Sequence, residues 1–149
     1  MLRNKVVAGL MVVAVLAMVV GCETTQKRGC GQSTVIMNIT SGVENPHEVT
    51  MALQLANHAL NDGRKVVLFF NVKGVAVPVK GLDPELAYRA EPIAQLLKNV
   101  MDGGAVVLVC PHCMKAQGIE EGELVDGAGV ASRETLFGNI GPNTVVFSY

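Results

Sequence analysis

Cys110-Pro111-His112-Cys113 carries the clearest chemistry in this chain. The four residues follow an apolar run, Ala105 to Val109, and precede Met114-Lys115-Ala116-Gln117-Gly118, a short helical stretch closed by glycine. With Cys110 as N-cap and Pro111 as the first helical residue, Cys113 is the third, so both sulfurs lie within one turn and can pair. A thiol between a buried strand and a helix start meets unpaired backbone N–H groups and the positive end of the helix dipole, which favour thiolate. Cys110, nearer the helix start, is the expected nucleophile, and Cys113 the expected resolving thiol. His112 between them can add positive charge when protonated or shuttle a proton. The plainer alternatives are a small thiol pair packing the strand end and an exposed histidine on the first turn.

A single Cys-x-x-Cys supplies two of the four ligands that structural zinc takes, and His47 and His58 fall on or near another helix. No metal and no cofactor are therefore expected.

The elements that must position this turn follow from periodicity. Thr34 to Thr40 is β-branched and apolar, a first strand. Asn45-Pro46 with Glu48 predicts a capped helix start, and Val49, Ala52, Leu53, Ala56 and Leu60 fall on one face before Asn61-Asp62-Gly63 stops it. Lys65 to Asn71 is apolar without alternation, as in a central strand covered on both faces. Val72 to Lys80 has no assignable element beyond an extended loop. Asp83-Pro84-Glu85 predicts a second helix start, with Ile93, Leu96, Leu97, Val100 and Met101 as its apolar stripe and Asp102-Gly103-Gly104 as its end. After the Ala105–Val109 strand and the Cys-Pro-His-Cys helix come an acidic connection, a brief strand at Ala128 to Ala131, a helix capped by Ser132, and a last strand from Thr144 to Ser148.

This alternation predicts one α/β domain over residues 34–149, a mainly parallel sheet of about five strands with helices on both faces. In such sheets chemistry collects beyond the carboxyl ends of the strands. Those ends carry Ser41 to Asn45, Asn71 to Gly74 and the Cys110 turn. Asn71 and Lys73 are thus expected neighbours of the thiols, Lys73 as a cation that lowers a thiol pKa or as a solvated loop lysine.

The first residues read differently. Arg3 and Lys5 precede an apolar run from Val6 to Val20, followed by Gly21-Cys22. At about 1.5 Å per residue this run falls short of the roughly 30 Å hydrocarbon core, so residues 1–21 are expected to be a signal peptide. Val19-Val20-Gly21-Cys22 is similar to a bacterial lipobox, which implies lipidation of Cys22 and anchoring on the extracytoplasmic side of a membrane. Residues 22–33, polar and containing Cys30, read as a flexible linker.

The remaining chemistry is bounded by charge. Lys and Arg number 12 against 13 Asp and Glu, a formal net charge of -1 with no basic run in the domain, which argues against nucleic acid as a partner.

Cys-Pro-His-Cys resembles the redox motif of thioredoxin-fold oxidoreductases. However, two complete strand–helix units precede it and the tail after it is too short for that fold. The stronger resemblance is to the DsrE/DsrF-like family, which includes TusD-type sulfur-relay proteins. It is carried by Gly63-Arg64-Lys65-Val66-Val67-Leu68-Phe69-Phe70, by Gly74-Val75, by Val109 to Ile119 around the cysteines, and by Leu124-Val125-Asp126-Gly127. The resemblance implies a small parallel α/β domain that assembles into homo-oligomers, often trimers or hexamers. It also implies a persulfide-bearing Cys eight residues before Gly118, which is Cys110, with a second Cys where Cys113 stands. A sulfur or thiol partner protein follows from the same resemblance. Relay proteins of this type are cytoplasmic, whereas this chain carries an export signal, and paired thiols outside the cytoplasm tend to oxidise. Sulfur carriage, thiol–disulfide exchange by the Cys110–Cys113 pair, and a non-catalytic oligomeric binding role are the functions the residues allow.

Overall fold

A computed structural model describes residues 33–149. The apolar N-terminal segment, Cys22 and Cys30 lie outside the described residues. Among the described residues no helix is long and apolar enough to cross a membrane.

The first strand, β1 (Thr34–Ile39), leads through the loop at Ser41 into α1 (Pro46–Asn61). The helix begins where Asn45 and Pro46 predict. The Asn45 side chain accepts from the Glu48 N–H at 3.4 Å, while the Glu48 carboxylate accepts from the Ser41 hydroxyl in the preceding loop. Strand β2 (Lys65–Phe70) follows, then a single 3-10 turn at Gly74–Ala76. The stretch without a predicted element is thus ordered. Val75 and Val77 are fully buried, and Val79 bridges to Leu124.

The second long helix starts later than Asp83-Pro84-Glu85 suggests. Asp83 instead closes a turn, its carboxylate accepting from the Glu85 N–H at 2.9 Å and its carbonyl from the Leu86 N–H at 3.1 Å. Residues with N-cap chemistry are also turn formers, because the same short side chain satisfies either backbone. A small antiparallel hairpin, β3 (Ala87–Tyr88) and β4 (Glu91–Pro92), intervenes, and α2 runs only from Ile93 to Asp102. The predicted apolar stripe holds: Ile93, Leu97 and Val100 are buried.

Strand β5 (Val106–Val109) passes into α3 (Pro111–Gln117), then β6 (Ala128–Val130), α4 (Arg133–Phe137) and β7 (Thr144–Ser148). Ser132 caps α4 as its sequence predicts, accepting from the Thr135 N–H at 3.0 Å. The five main strands form one sheet in the order β6-β5-β2-β1-β7, and every pair in it is parallel. β2 sits at the centre, which explains its unbroken apolar sequence.

The two faces are covered unequally. On one, Val35, Met37, Ile39, Leu68 and Phe70 pack with Val49, Leu53 and Ala56 of α1 and Leu97 and Val100 of α2. Fully burying a side chain of this size contributes roughly 1.5–3 kcal/mol, so this layer dominates stability. On the other, Ile36, Val67 and Leu108 are buried, with Leu136 of the five-residue α4 packed against them. A helix that short cannot span the sheet, and Val146 on the edge strand stays 57% exposed, Phe137 61% and Ile140 49%.

Two glycines let the loops after β1 and β2 interlock. A Cβ on Gly42 would sit 2.5 Å from the Lys73 carbonyl oxygen, and one on Gly74 would run into the Ile39 carbonyl. The Gly74 and Lys73 N–H groups both donate to the Thr40 carbonyl at 3.1 Å. Gly74→Ala is therefore expected to push these loops apart and lower stability by about 1–3 kcal/mol in urea unfolding.

Candidate functional site

The site is built where the backbone ladder runs past the strand ends. The Cys110 N–H donates to the Phe70 carbonyl at 2.9 Å, extending the β2–β5 pairing by one residue, and the Asn71 N–H donates to the Ile39 carbonyl at 3.0 Å. Cys110 is the N-cap of α3 and Pro111 occupies its first turn, so Cys113 falls one turn in. Gly118, in the left-handed conformation at φ 69°, ends the helix, and the Ile119 N–H returns to the Met114 carbonyl at 3.0 Å. Met114 anchors the helix in the core, leaving both cysteines half-buried and unbridged.

The two thiols are in hydrogen-bonding contact. Cys113 has its pKa pushed above the ordinary thiol value. Partial burial contributes most, followed by the hydrogen bond and charge of Cys110, against one opposing contact, the Val72 N–H. That N–H donates to Cys113 Sγ at 3.1 Å. Negative charge on one sulfur opposes charge on its neighbour, so the pair holds one thiolate before it holds two. Cys113 is the sulfur that keeps its proton longer than a free thiol does, which suits it to act second.

The other residues singled out in the sequence lie at the same end of the sheet with different partners. His112 is exposed on the first turn of α3. Lys73 Nζ lies 3.6 Å from the Glu44 carboxylate, so its charge is directed to the loop after β1. Burial alone raises the Glu44 pKa, but the backbone N–H groups of Glu44 and Gly42, together with Lys73, outweigh it and hold the carboxyl below its usual value. The Asn71 side chain donates to Asn38 Oδ1 at 2.6 Å, and Asn38 donates to Ser148 Oγ at 3.0 Å, a polar row along the ends of β2, β1 and β7.

Two residues that contact the thiol turn carry no conspicuous signal in the sequence. Val72 has a φ of 51°, which is strained for a β-branched side chain. Gln117 Nε2 donates to the Val72 carbonyl at 2.6 Å. Gln117 could have been found as the residue four positions after Cys113, on the same helix face. Val72 could not, because its conformation is imposed by contacts remote in sequence.

The DsrE/DsrF-like family model matches residues 33–138, from the start of β1 through α4. The chain belongs to that family. Relatives include the uncharacterized protein MJ0989 of Methanocaldococcus jannaschii, 39% identical over 85 residues that cover 57% of this chain and 72% of that one. MK0008 of Methanopyrus kandleri, also uncharacterized, is 32% identical over 85 residues, covering 57% and 68%. Among solved structures, the ychN protein of E. coli superimposes with a TM-score of 0.64 at 20% identity, over 78% of this chain and 99% of that one. MTH1491 of Methanobacterium thermoautotrophicum, of unknown function, gives 0.58 at 15% identity, over 79% and 100%. At these identities the two structures share the fold of this DsrE-like domain, the single parallel α/β architecture derived above.

In this DsrE-like domain the raised Cys113 pKa has a direct consequence. Its alkylation by iodoacetamide should inflect at a higher pH than that of a free thiol, because less thiolate is present at any given pH below the inflection. Cys110→Ala removes the raising contact, and the inflection is expected to move down. Mass-resolved alkylation across pH checks both.

Proposed function

We propose that this protein is an exported, lipid-anchored sulfur carrier that holds sulfane sulfur on Cys110, with Cys113 as the resolving thiol and His112 as a modulator of charge at the turn. The observation that carries the proposal is the contact between two cysteine side chains at the start of α3, beyond the carboxyl end of β5. Membership of a family that includes sulfur-relay proteins supports it.

The chemistry needs only a persulfide donor, R–S–SH. The Cys110 thiolate attacks the outer sulfur, a new S–S bond forms on Cys110, the donor's S–S bond breaks, and the thiolate RS⁻ leaves. An acceptor thiolate can then take the outer sulfur from Cys110. Alternatively, the Cys113 thiolate attacks Cys110 Sγ, forming the Cys110–Cys113 disulfide and expelling hydrosulfide. Protons lost by the attacking thiols go to solvent or to the departing sulfur. The same pair also suits thiol–disulfide exchange, which leaves no added sulfur on Cys110.

The anchor rests on residues 1–22, with Cys22 as the lipidated residue facing the extracytoplasmic side. The thinly covered sheet face around Phe137, Ile140 and Val146 is the proposed self-association surface, since exposed apolar patches of this kind mark interaction sites. A homo-oligomer, trimer or hexamer, would bury it, and the sulfur or thiol partner would approach the α3 end of the sheet, where the thiols lie.

Incubation with a persulfide donor followed by mass measurement tests the central claim. Wild type is expected to gain one sulfur transiently, Cys113→Ser to keep it, and Cys110→Ser to gain none; equal gain in Cys110→Ser and Cys113→Ser removes Cys110 from its role. A Cys110–Cys113 disulfide formed with no sulfur gain at any stage would favour the oxidoreductase. Cys22→Ser should move the protein from the membrane to the soluble fraction, and Val146→Asp should lower the mass found by light scattering.

A further inference from the structure

The least comfortable backbone near the thiols belongs to Val72. It is 55% exposed and β-branched, yet it sits at φ 51°, in the left-handed region that such residues avoid. Strain of this kind persists only where surrounding contacts impose it. Here they come from two sides. The next two N–H groups, of Lys73 and Gly74, are tied to the Thr40 carbonyl at 3.1 Å. Residue 72 itself is gripped by α3, with its N–H on Cys113 Sγ at 3.1 Å and its carbonyl on Gln117 Nε2 at 2.6 Å. Cys113 and Gln117 are four apart and share a helix face, so one helix holds both polar groups of one strained residue.

We propose that Val72 is a built thiolate-stabilising donor for Cys113, and that Gln117 is the positioning residue that keeps its N–H aimed at the sulfur. The purpose assigned to this clamp rests on the sulfur-carrier reading above. In the resolving step the Cys113 thiolate attacks Cys110 Sγ of the loaded persulfide. The bond between the two cysteine sulfurs forms, the bond to the outer sulfur breaks, and hydrosulfide leaves. A hydrogen bond to the attacking thiolate offsets part of the opposition from burial and from Cys110, so the clamp sets how readily Cys113 ionises. A relaxed residue 72 would turn its N–H away and leave Cys113 a weaker resolver.

The charged groups around Cys113 leave this donor a distinct role. Cys110 is the titratable group in contact with it. Lys73, on the Val72 loop, is paired with Glu44 from the loop after β1. His112 and Lys115, on α3 itself, are exposed.

The experiment uses the full chain in a Cys110→Ala background, where Cys113 titrates without its sulfur neighbour, and follows iodoacetamide alkylation of Cys113 against pH. Gln117→Met removes the donor to Val72 with little change of shape or charge. It is expected to move the inflection to higher pH, slowing alkylation about tenfold at a fixed pH below it. Val72→Gly keeps the N–H and adopts positive φ without strain. Added to Gln117→Met, it is expected to restore the parent profile. A Gln117→Met profile that superimposes on the parent overturns the proposal, and so does a shift that Val72→Gly leaves in place. With Cys110 present, Gln117→Met should load sulfur normally and release hydrosulfide about tenfold more slowly. If wild type takes up no sulfur, the carrier reading falls, and the alkylation series alone decides the clamp.

Discussion

The structure depends on the parallel register of β1, β2 and β5 and on its continuation past the strand ends. Parallel strands bring their carboxyl ends to one edge, and here the ladder does not stop there. Asn71 bonds back to Ile39, Cys110 to Phe70 and Ala131 to Val109. Each loop thus leaves the sheet with its first backbone donor already satisfied, which fixes its direction before any side chain acts. The interlocked Gly42 and Gly74 then draw the first two loops so close that no Cβ fits between them.

On that edge the thiol pair is a balance of opposing electrostatic influences. Partial burial and a second sulfur discourage charge on Cys113, and a single backbone N–H encourages it. The arrangement separates two chemically identical side chains three residues apart, one at the helix cap with its N–H in the sheet ladder and one a turn inside beside the Val72 loop. A difference in surroundings of this kind is how one Cys-x-x-Cys acquires a first and a second thiol. The helix that carries them is only seven residues long and owes its position to Met114 in the core and to Gly118 at its end.

The parts of the fold legible in the sequence were those governed by local rules. Asn45-Pro46 and Ser132 mark helix starts where the structure has them, Gly118 ends α3, and the unbroken apolar sequence of β2 places it at the sheet centre. Asp83-Pro84-Glu85 misled because the chemistry that caps a helix also closes a turn, and the choice was made by the hairpin at Ala87 to Pro92 packing beside α1. Val75 and Val77 had no readable element because their burial depends on the sheet and not on a repeat.

The cysteine turn follows the same division. Its sequence alone determined that two thiols would share one helical turn after a strand, because cap, proline and spacing are properties of neighbouring residues. Only the tertiary structure decided what the sulfurs meet. It turned Lys73 toward Glu44 and Asn71 toward Asn38, and it brought Val72, from another strand end, into contact with Cys113 in a conformation its own side chain disfavours. The physical reason is that a backbone conformation opposed by local sterics is set by the sum of contacts from β1 and α3, and those contacts exist only once the sheet has aligned its strands.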